Sequence, residues 1–261
     1  MASYQDYLLH LADNALILGQ RNAEWCGHGP ILEEDLALAN NSLDLIGQAR
    51  LLYQHVATVR KDGKSSEDLL AYFRDVPEFR NYTLLELPHR TAILPTSSGD
   101  RDYAVTIARN FLYSALMVQV WGALAASTDA QLAAIASKSL KEVQYHLRHA
   151  HDWVLRLGDG TDESNRRTQA AFDYLMPFTQ EFWTPSAMET VAVTTGAGVD
   201  VKAFKIEWES MVSDTLQAAT LKVPASTGFV TTGKQGVHSE HLGFVLAEMQ
   251  SLARAHPEAV W

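Results

Sequence analysis

From residue 4 to about residue 25, apolar side chains recur every three or four positions, with Leu8, Leu11, Ala15 and Leu18 on one line. That is the signature of a helix with one face turned to a core. CGHGP breaks the pattern and Pro30 opens a second helix. Its first turn holds Glu33, Glu34 and Asp35, where the positive end of the helix dipole favours carboxylates. Leu32, Leu36, Ala39, Leu43 and Ile46 make its apolar stripe, expected to face the core, and the pattern runs on towards Arg60 and Lys61. DGKSS, residues 62–66, reads as a linker. A shorter helix over 67–74 leads into DVPEFRNYTLLELPHRTAILPTSSGD, residues 75–100, which holds three prolines and no sustained period. It reads as a long excursion over the surface, the kind of segment that carries contacts.

A third long helix is expected over 102–127 and, after the turn STDA, a fourth over 131–157 that ends at GDG. Further helices follow at 163–183, 199–220 and 237–255. Between the last two, LKVPASTGFVTTGKQG is irregular and reads as a loop with at most a short strand pair. With no alternating strand pattern and no domain-sized linker, the expectation is an all-α helical bundle forming one domain over residues 1–261.

Composition narrows the function classes. The 261 residues are 47% hydrophobic, enough for a large core. Acidic residues number 31 against 21 basic ones, a net charge of -10, and no Lys/Arg run tracks phosphates or an anionic bilayer, so neither nucleic acid nor a membrane surface is an expected partner. The single cysteine, Cys26, excludes an internal disulfide and CxxC metal frames and suits a reducing cytoplasm. Asp6 and Asp13 stand where a signal peptide would need a basic start. FLYSALMVQVWGALAA, residues 111–126, is short of the roughly 20 residues of a membrane span and is interrupted by Gln119; it reads as a buried core helix.

Three stretches invite a chemical reading. GFVTTGKQ, 228–235, approaches the phosphate-cradling GxxxxGK[ST], but Gln235 replaces the Mg²⁺-binding hydroxyl and no buried strand precedes it. VHSEHLG, 237–243, is neither HExxH nor a deaminase motif, and reads as a helix N-terminus capped near His238 or Ser239. KEVQYHLRHAHDW, 141–153, packs three histidines and a glutamate into three turns. Helical bundles that hold two metals use a Glu-x-x-His on each of two helices, because i and i+3 project inward together. His146 would fit, but Val143 stands three residues before it, and Glu142 lies about 100° off that direction. Glu142, His146 and His149 do share a flank, which leaves an improvised ligand set open. The second helix offers no histidine, only Asp44 and the neutral Gln48, a poor ligand for iron or manganese.

The stretches NAEWCGHGP, LEEDLALANNSLDLIGQAR, SLKEVQYHLRHAHDWVLRLGDGTDES and TTGKQGVHSEHLGFVLAEMQ, in this order and over nearly the whole chain, resemble the non-catalytic C subunits of the multicomponent phenylacetyl-CoA epoxidases of aerobic phenylacetate catabolism. The resemblance implies a ferritin-like bundle with additional C-terminal helices. It also implies partners: a catalytic subunit with a di-iron centre, other small subunits, and an NADPH-dependent reductase carrying flavin and an iron–sulfur cluster. By the same resemblance, Leu16, Leu45, Gln48 and Val143 occupy positions at which the catalytic partner bears metal ligands, Tyr113 or Ser114 stands at the one on the third helix, and His146 remains of its set. No metal is then expected in this chain, because buried carboxylates without metal would repel, whereas Leu16, Leu45 and Val143 pack as ordinary core.

The resemblance further implies a large interface with the catalytic subunit and a contribution to the wall that grips the coenzyme A ester. For that contact the expected residues are Glu78, Phe79, Arg80 and Asn81, with Phe79 stacking on a flat group, Arg80 reaching a phosphate and Asn81 bonding an amide. A second set is Thr190, Val191 and Ala192. The competing readings are a free-standing two-metal oxidase using Glu142, His146 and His149, and a helical protein that captures acyl-CoA without a partner.

Overall fold

The computed structural model describes residues 3–90, 101–225 and 227–259. Among them are ten α-helices: α1 (Tyr4–Ala23), α2 (Leu32–Arg60), α3 (Glu67–Tyr72), α4 (Thr83–Glu86), α5 (Tyr103–Leu124), α6 (Ala130–Gly158), α7 (Asp162–Leu175), α8 (Ala187–Thr194), α9 (Lys205–Ala218) and α10 (Glu240–Ala255). No strand occurs among the described residues; one isolated bridge joins Thr232 to Val237. The all-α class is the one the sequence announces, and no described helix is long and apolar enough to cross a membrane. The last ten residues of the proline-rich excursion, 91–100, lie outside the described residues.

The helices group into two compact units: Met1–Leu87, Ser186–Thr195 and Thr232–Trp261 form one, and Pro88–Pro185 with Gly196–Thr231 the other. In the first, α1 starts at a capping box in which Ser3 Oγ accepts from Asp6 N–H and the Asp6 carboxylate accepts from Ser3 N–H. Thirteen consecutive residues from Tyr7 to Gly19 are buried, so α1 is enclosed on all sides rather than along one stripe. It packs along α2, and Gly19 permits the approach: a Cβ there would stand 3.2 Å from Ile46 Cγ1 and 3.3 Å from Leu45 Cβ. α10 closes over α3, where Gln250 donates to the carbonyls of Ala71 and Arg74 and so satisfies groups that the end of a short helix leaves open.

α2 corrects the sequence reading. The stripe expected to face the core is its outer face: Leu32, Leu36 and Leu43 are 71%, 56% and 67% exposed. The buried face is instead Leu38, Asn41, Ser42, Leu45, Gln48, Ala49, Leu52 and Tyr53. Periodicity marks an apolar stripe without saying what covers it, and the buried face is camouflaged by its three polar residues.

In the second unit, α5 is buried at every position from Ala104 to Met117, the core helix its apolar run foretold. α6 lies against it through Leu132, Ile135, Ala136, Ser139, Val143, His146, Ala150 and Val154, a one-sided stripe. Trp208 on α9 donates its indole N–H to the Leu112 carbonyl at 3.0 Å and meets Trp183 and Phe182 edge-on, with centroids 5.3 and 6.1 Å away. Each such buried aromatic contributes on the order of 1.5–3 kcal/mol. The helix expected over 163–183 ends earlier, at Leu175, because Pro177 supplies no N–H, and a 3₁₀ turn, Met176–Glu181, continues it. α8 had no sequence signal beyond Ser186 and Glu189, which form its capping box.

Gly158 ends α6 against the cap of α9, and a Cβ there would lie 2.4 Å from the Ala219 carbonyl oxygen. Gly158→Val should therefore lower stability by about 1–3 kcal/mol in urea unfolding; an unchanged midpoint would show that this approach is not a tight one.

Candidate functional site

The excursion is not a surface loop over its described part. Phe79 and residues 81 to 87 are buried, with Phe79, Asn81 and Glu86 fully so. A buried segment with almost no helical ladder must find partners for its backbone elsewhere, and α1 supplies them. The Asp13 carboxylate accepts from Arg80 N–H at 2.7 Å, the Asn14 carbonyl oxygen accepts from Tyr82 N–H at 2.8 Å, and His10 Nδ1–H donates to the Arg80 carbonyl at 2.6 Å. Since that carbonyl can only accept, His10 carries its proton on Nδ1, leaving Nε2 to accept from Asn14 Nδ2 at 3.3 Å. Its neutral state agrees with burial, which holds its pKa below the usual 6.5.

Three ion pairs stake this segment down. Asp13, fully buried, pairs with both terminal nitrogens of Arg74 and accepts from the Tyr53 hydroxyl at 2.6 Å. The Arg74 guanidinium lies 4.2 Å from the Phe79 ring centroid and is locked between that ring and the carboxylate. Burial works against its charge, but Asp13 overrides it and raises the Arg74 pKa. Burial and the Asp13 charge push the Tyr53 phenol well above 10.

Glu86 forms the second pair. One oxygen accepts from Ser239 N–H at 2.6 Å, and the other from Asn81 Nδ2 and His238 Nδ1, each at 2.8 Å. His238 Nε2 faces the Phe79 carbonyl at 3.0 Å, so both ring nitrogens point at acceptors and only the imidazolium satisfies both. Burial favours the neutral ring, but the Glu86 hydrogen bond and charge outweigh it and raise the His238 pKa above 6.5.

The third pair joins the start of α8 to the TTGKQG turn. Glu189, at the start of α8, accepts from Lys234 Nζ at 2.8 Å, and Lys234 sits 5.5 Å from the Tyr82 ring centroid. Burial would raise the Glu189 pKa, but Lys234 and the Ser186 hydroxyl hold it low. The lysine of the TTGKQG turn is thus an internal counter-ion rather than a phosphate ligand. Gly236, with φ at +86°, lets that turn reach the segment: a Cβ there would be 2.4 Å from the Pro77 carbonyl oxygen.

Phe79, Asn81 and Ala192, expected at the substrate, are turned to internal contacts. The Phe79 ring lies beneath the Arg74 guanidinium and the Asn81 amide is given to Glu86, while Ala192 is fully buried. Glu78 and Thr190 are exposed, and Arg80 and Val191 half-exposed, so these four reach solvent. Arg80 is steadied by Nη1 donating to the carbonyls of Pro77 at 2.6 Å and Phe79 at 2.8 Å.

The positions that the resemblance sets against metal ligands are all buried. Leu16, Leu45 and Gln48 are 1–3% exposed in the first unit, as are Tyr113, Ser114, Val143 and His146 in the second. Leu16, Leu45 and Val143 have no donor atom, and an amide at Gln48 brings no charge, so this residue set does not fit two metal ions. The improvised set does not converge either. Glu142 pairs with Lys138 at 3.2 Å and His149 stacks on Tyr145, and among the described residues no three His, Cys, Asp or Glu side chains are grouped to hold a metal. The staking residues were not anticipated from the sequence. Their only signal is a charge set among apolar neighbours, as with Asp13 between Leu11 and Leu16.

Because its folded-state pKa is raised, His238 contributes stability in full below about pH 6.5 and loses that contribution as pH climbs through the folded-state value. The melting-temperature gap between the parent and His238→Gln should be widest near pH 6 and close towards pH 9. A gap that is flat or grows with pH would show that His238 is neutral in the fold.

A family model described as "Phenylacetic acid catabolic protein" matches residues 2–261. The chain is 42% identical over 255 residues, 98% of either sequence, to a protein of Escherichia coli (strain K12) named as the C component of 1,2-phenylacetyl-CoA epoxidase. A match that spans both chains end to end, on an all-helical framework, shows that this chain belongs to the phenylacetic acid catabolic protein family.

Proposed function

We propose that this chain is a non-catalytic subunit of a phenylacetyl-CoA epoxidase, pairing with and stabilising a di-iron catalytic subunit in the cytoplasm. The observation that carries this reading is the likeness to the Escherichia coli epoxidase component over 98% of both sequences. The loss of donor atoms at Leu16, Leu45 and Val143 supports it from the chemical side. The oxidising centre, the NADPH site and the flavin and iron–sulfur groups that deliver electrons then belong to other subunits. What this chain supplies is a rigid neighbour and part of the surface that meets the coenzyme A ester. Of the substrate contacts, we assign a phosphate to Arg80, which is held by the Pro77 and Phe79 carbonyls, and the pantetheine chain to Thr190.

Co-expression with the remaining epoxidase subunits of its own organism should yield a complex that oxidises phenylacetyl-CoA with NADPH and O₂. The chain purified alone should contain no stoichiometric iron or manganese by elemental analysis. Stoichiometric metal in the isolated chain, or full turnover by the other subunits without it, would refute the proposal. In the complex, Arg80→Ala should raise KM for phenylacetyl-CoA about tenfold, one charge-assisted hydrogen bond's worth, with kcat retained. An unchanged KM would remove Arg80 from the contact.

A further inference from the structure

Among the described residues, the outer face of α2 opens to solvent at Leu32, Leu36 and Leu43. Leu32, Leu36, Ala39, Leu43 and Ile46 follow one another at spacings of four, three, four and three. Three of these leucines are more than half exposed, and Ile31, 51% exposed, extends the row at its start. Ala39 and Ile46 are half-buried along it. A mean spacing of 3.5 residues is the period at which one helix meets another along a shared seam. The row from Leu32 to Ile46 spans about 21 Å at 1.5 Å per residue, four turns of contact. Isolated exposed leucines are ordinary, but a contiguous row in register is the mark of an interaction surface.

The borders of the row say what kind of helix fits. Glu33, Asp35, Asn40 and Asp44 flank it, and the first cation along the helix is Arg50, already paired with Glu67 at 2.8 Å. A second copy of the chain is a poor occupant. Parallel self-pairing would set Glu33 against Glu33, and antiparallel pairing centred on Ala39 would bring Asp35 of one copy beside Asp44 of the other. A helix with Leu or Ile at the same spacing and Lys or Arg at its borders is complementary in both respects.

We infer that the α2 row is the docking seam for an amphipathic, basic-bordered helix of another subunit of the assembly. This rests on the subunit reading above and gives it a place on the chain.

The test uses the full chain co-expressed with the other epoxidase subunits and compares three variants with the parent by size-exclusion chromatography with mass detection and by a binding titration. Leu36→Lys/Leu43→Lys alters only exposed side chains and should melt like the parent, yet bind its partner at least tenfold more weakly. Glu33→Lys/Asn40→Lys leaves the leucines in place and should also weaken binding, most of all at low salt. Ile206→Lys, at an 82% exposed position on α9, should bind as the parent does. If the leucine variant binds within twofold of the parent, the seam is elsewhere and the inference falls while the subunit reading stands. The inference also falls if the isolated parent is a dimer that the leucine variant makes monomeric while capture of the other subunits persists, since the occupant would then be a second copy. If the parent captures no other subunit, the subunit reading fails and the seam inference with it.

Discussion

Much of the first unit depends on one electrostatic constraint: three buried carboxylates, Asp13, Glu86 and Glu189, each need a cation within hydrogen-bond reach. A carboxylate out of water without a partner costs several kcal/mol, and removing one member of a buried pair is a heavier loss than never having built it. Arg74, His238 and Lys234 meet the need, and in doing so they fix a segment that has almost no regular structure of its own. Phe79, Asn81 and Tyr82 are ordered because they fill the spaces between the pairs. Rigidity here comes from charge placement rather than from a helix ladder, which lets a segment of irregular backbone stay buried.

The second unit achieves the same end by packing. α5 and α6 meet through aliphatic and aromatic side chains, and Val143 lies among them where a two-metal motif would have a carboxylate. An aliphatic group there adds burial, where an unpaired carboxylate would add repulsion. His146 is still buried on that helix, a polar group within an apolar stripe.

The helices were legible because the sequence writes them in local terms. Apolar spacing, Pro30, the carboxylates of the first turn of α2 and the glycines at the end of α6 each act within a few residues. What escaped was everything that depends on distant neighbours. The row on α2 has the right period for a core and faces outward, since a pattern cannot name its own partner. Residues 79–87 look like a loop because Asp13 and Asn14, more than sixty positions away, bond their backbone. Phe79 and Asn81 looked like ligand contacts for the same reason: an aromatic ring and an amide in an aperiodic stretch suit a binding surface as well as they suit a polar core. The family, by contrast, was plain in whole blocks of sequence, which carry long-range information that no single spacing holds.

The order in which the chain is made gives the ion pairs a further meaning. Asp13 and Arg74 emerge early, but the cations for Glu86 and Glu189 stand in the last segment of the first unit, Thr232–Trp261. Until that segment leaves the ribosome, Glu86 on α4 and Glu189 on α8 have no cation to be buried beside. A chain cut short before Lys234 and His238 would therefore leave Glu86 and Glu189 without their cations, its first unit unfinished rather than merely trimmed.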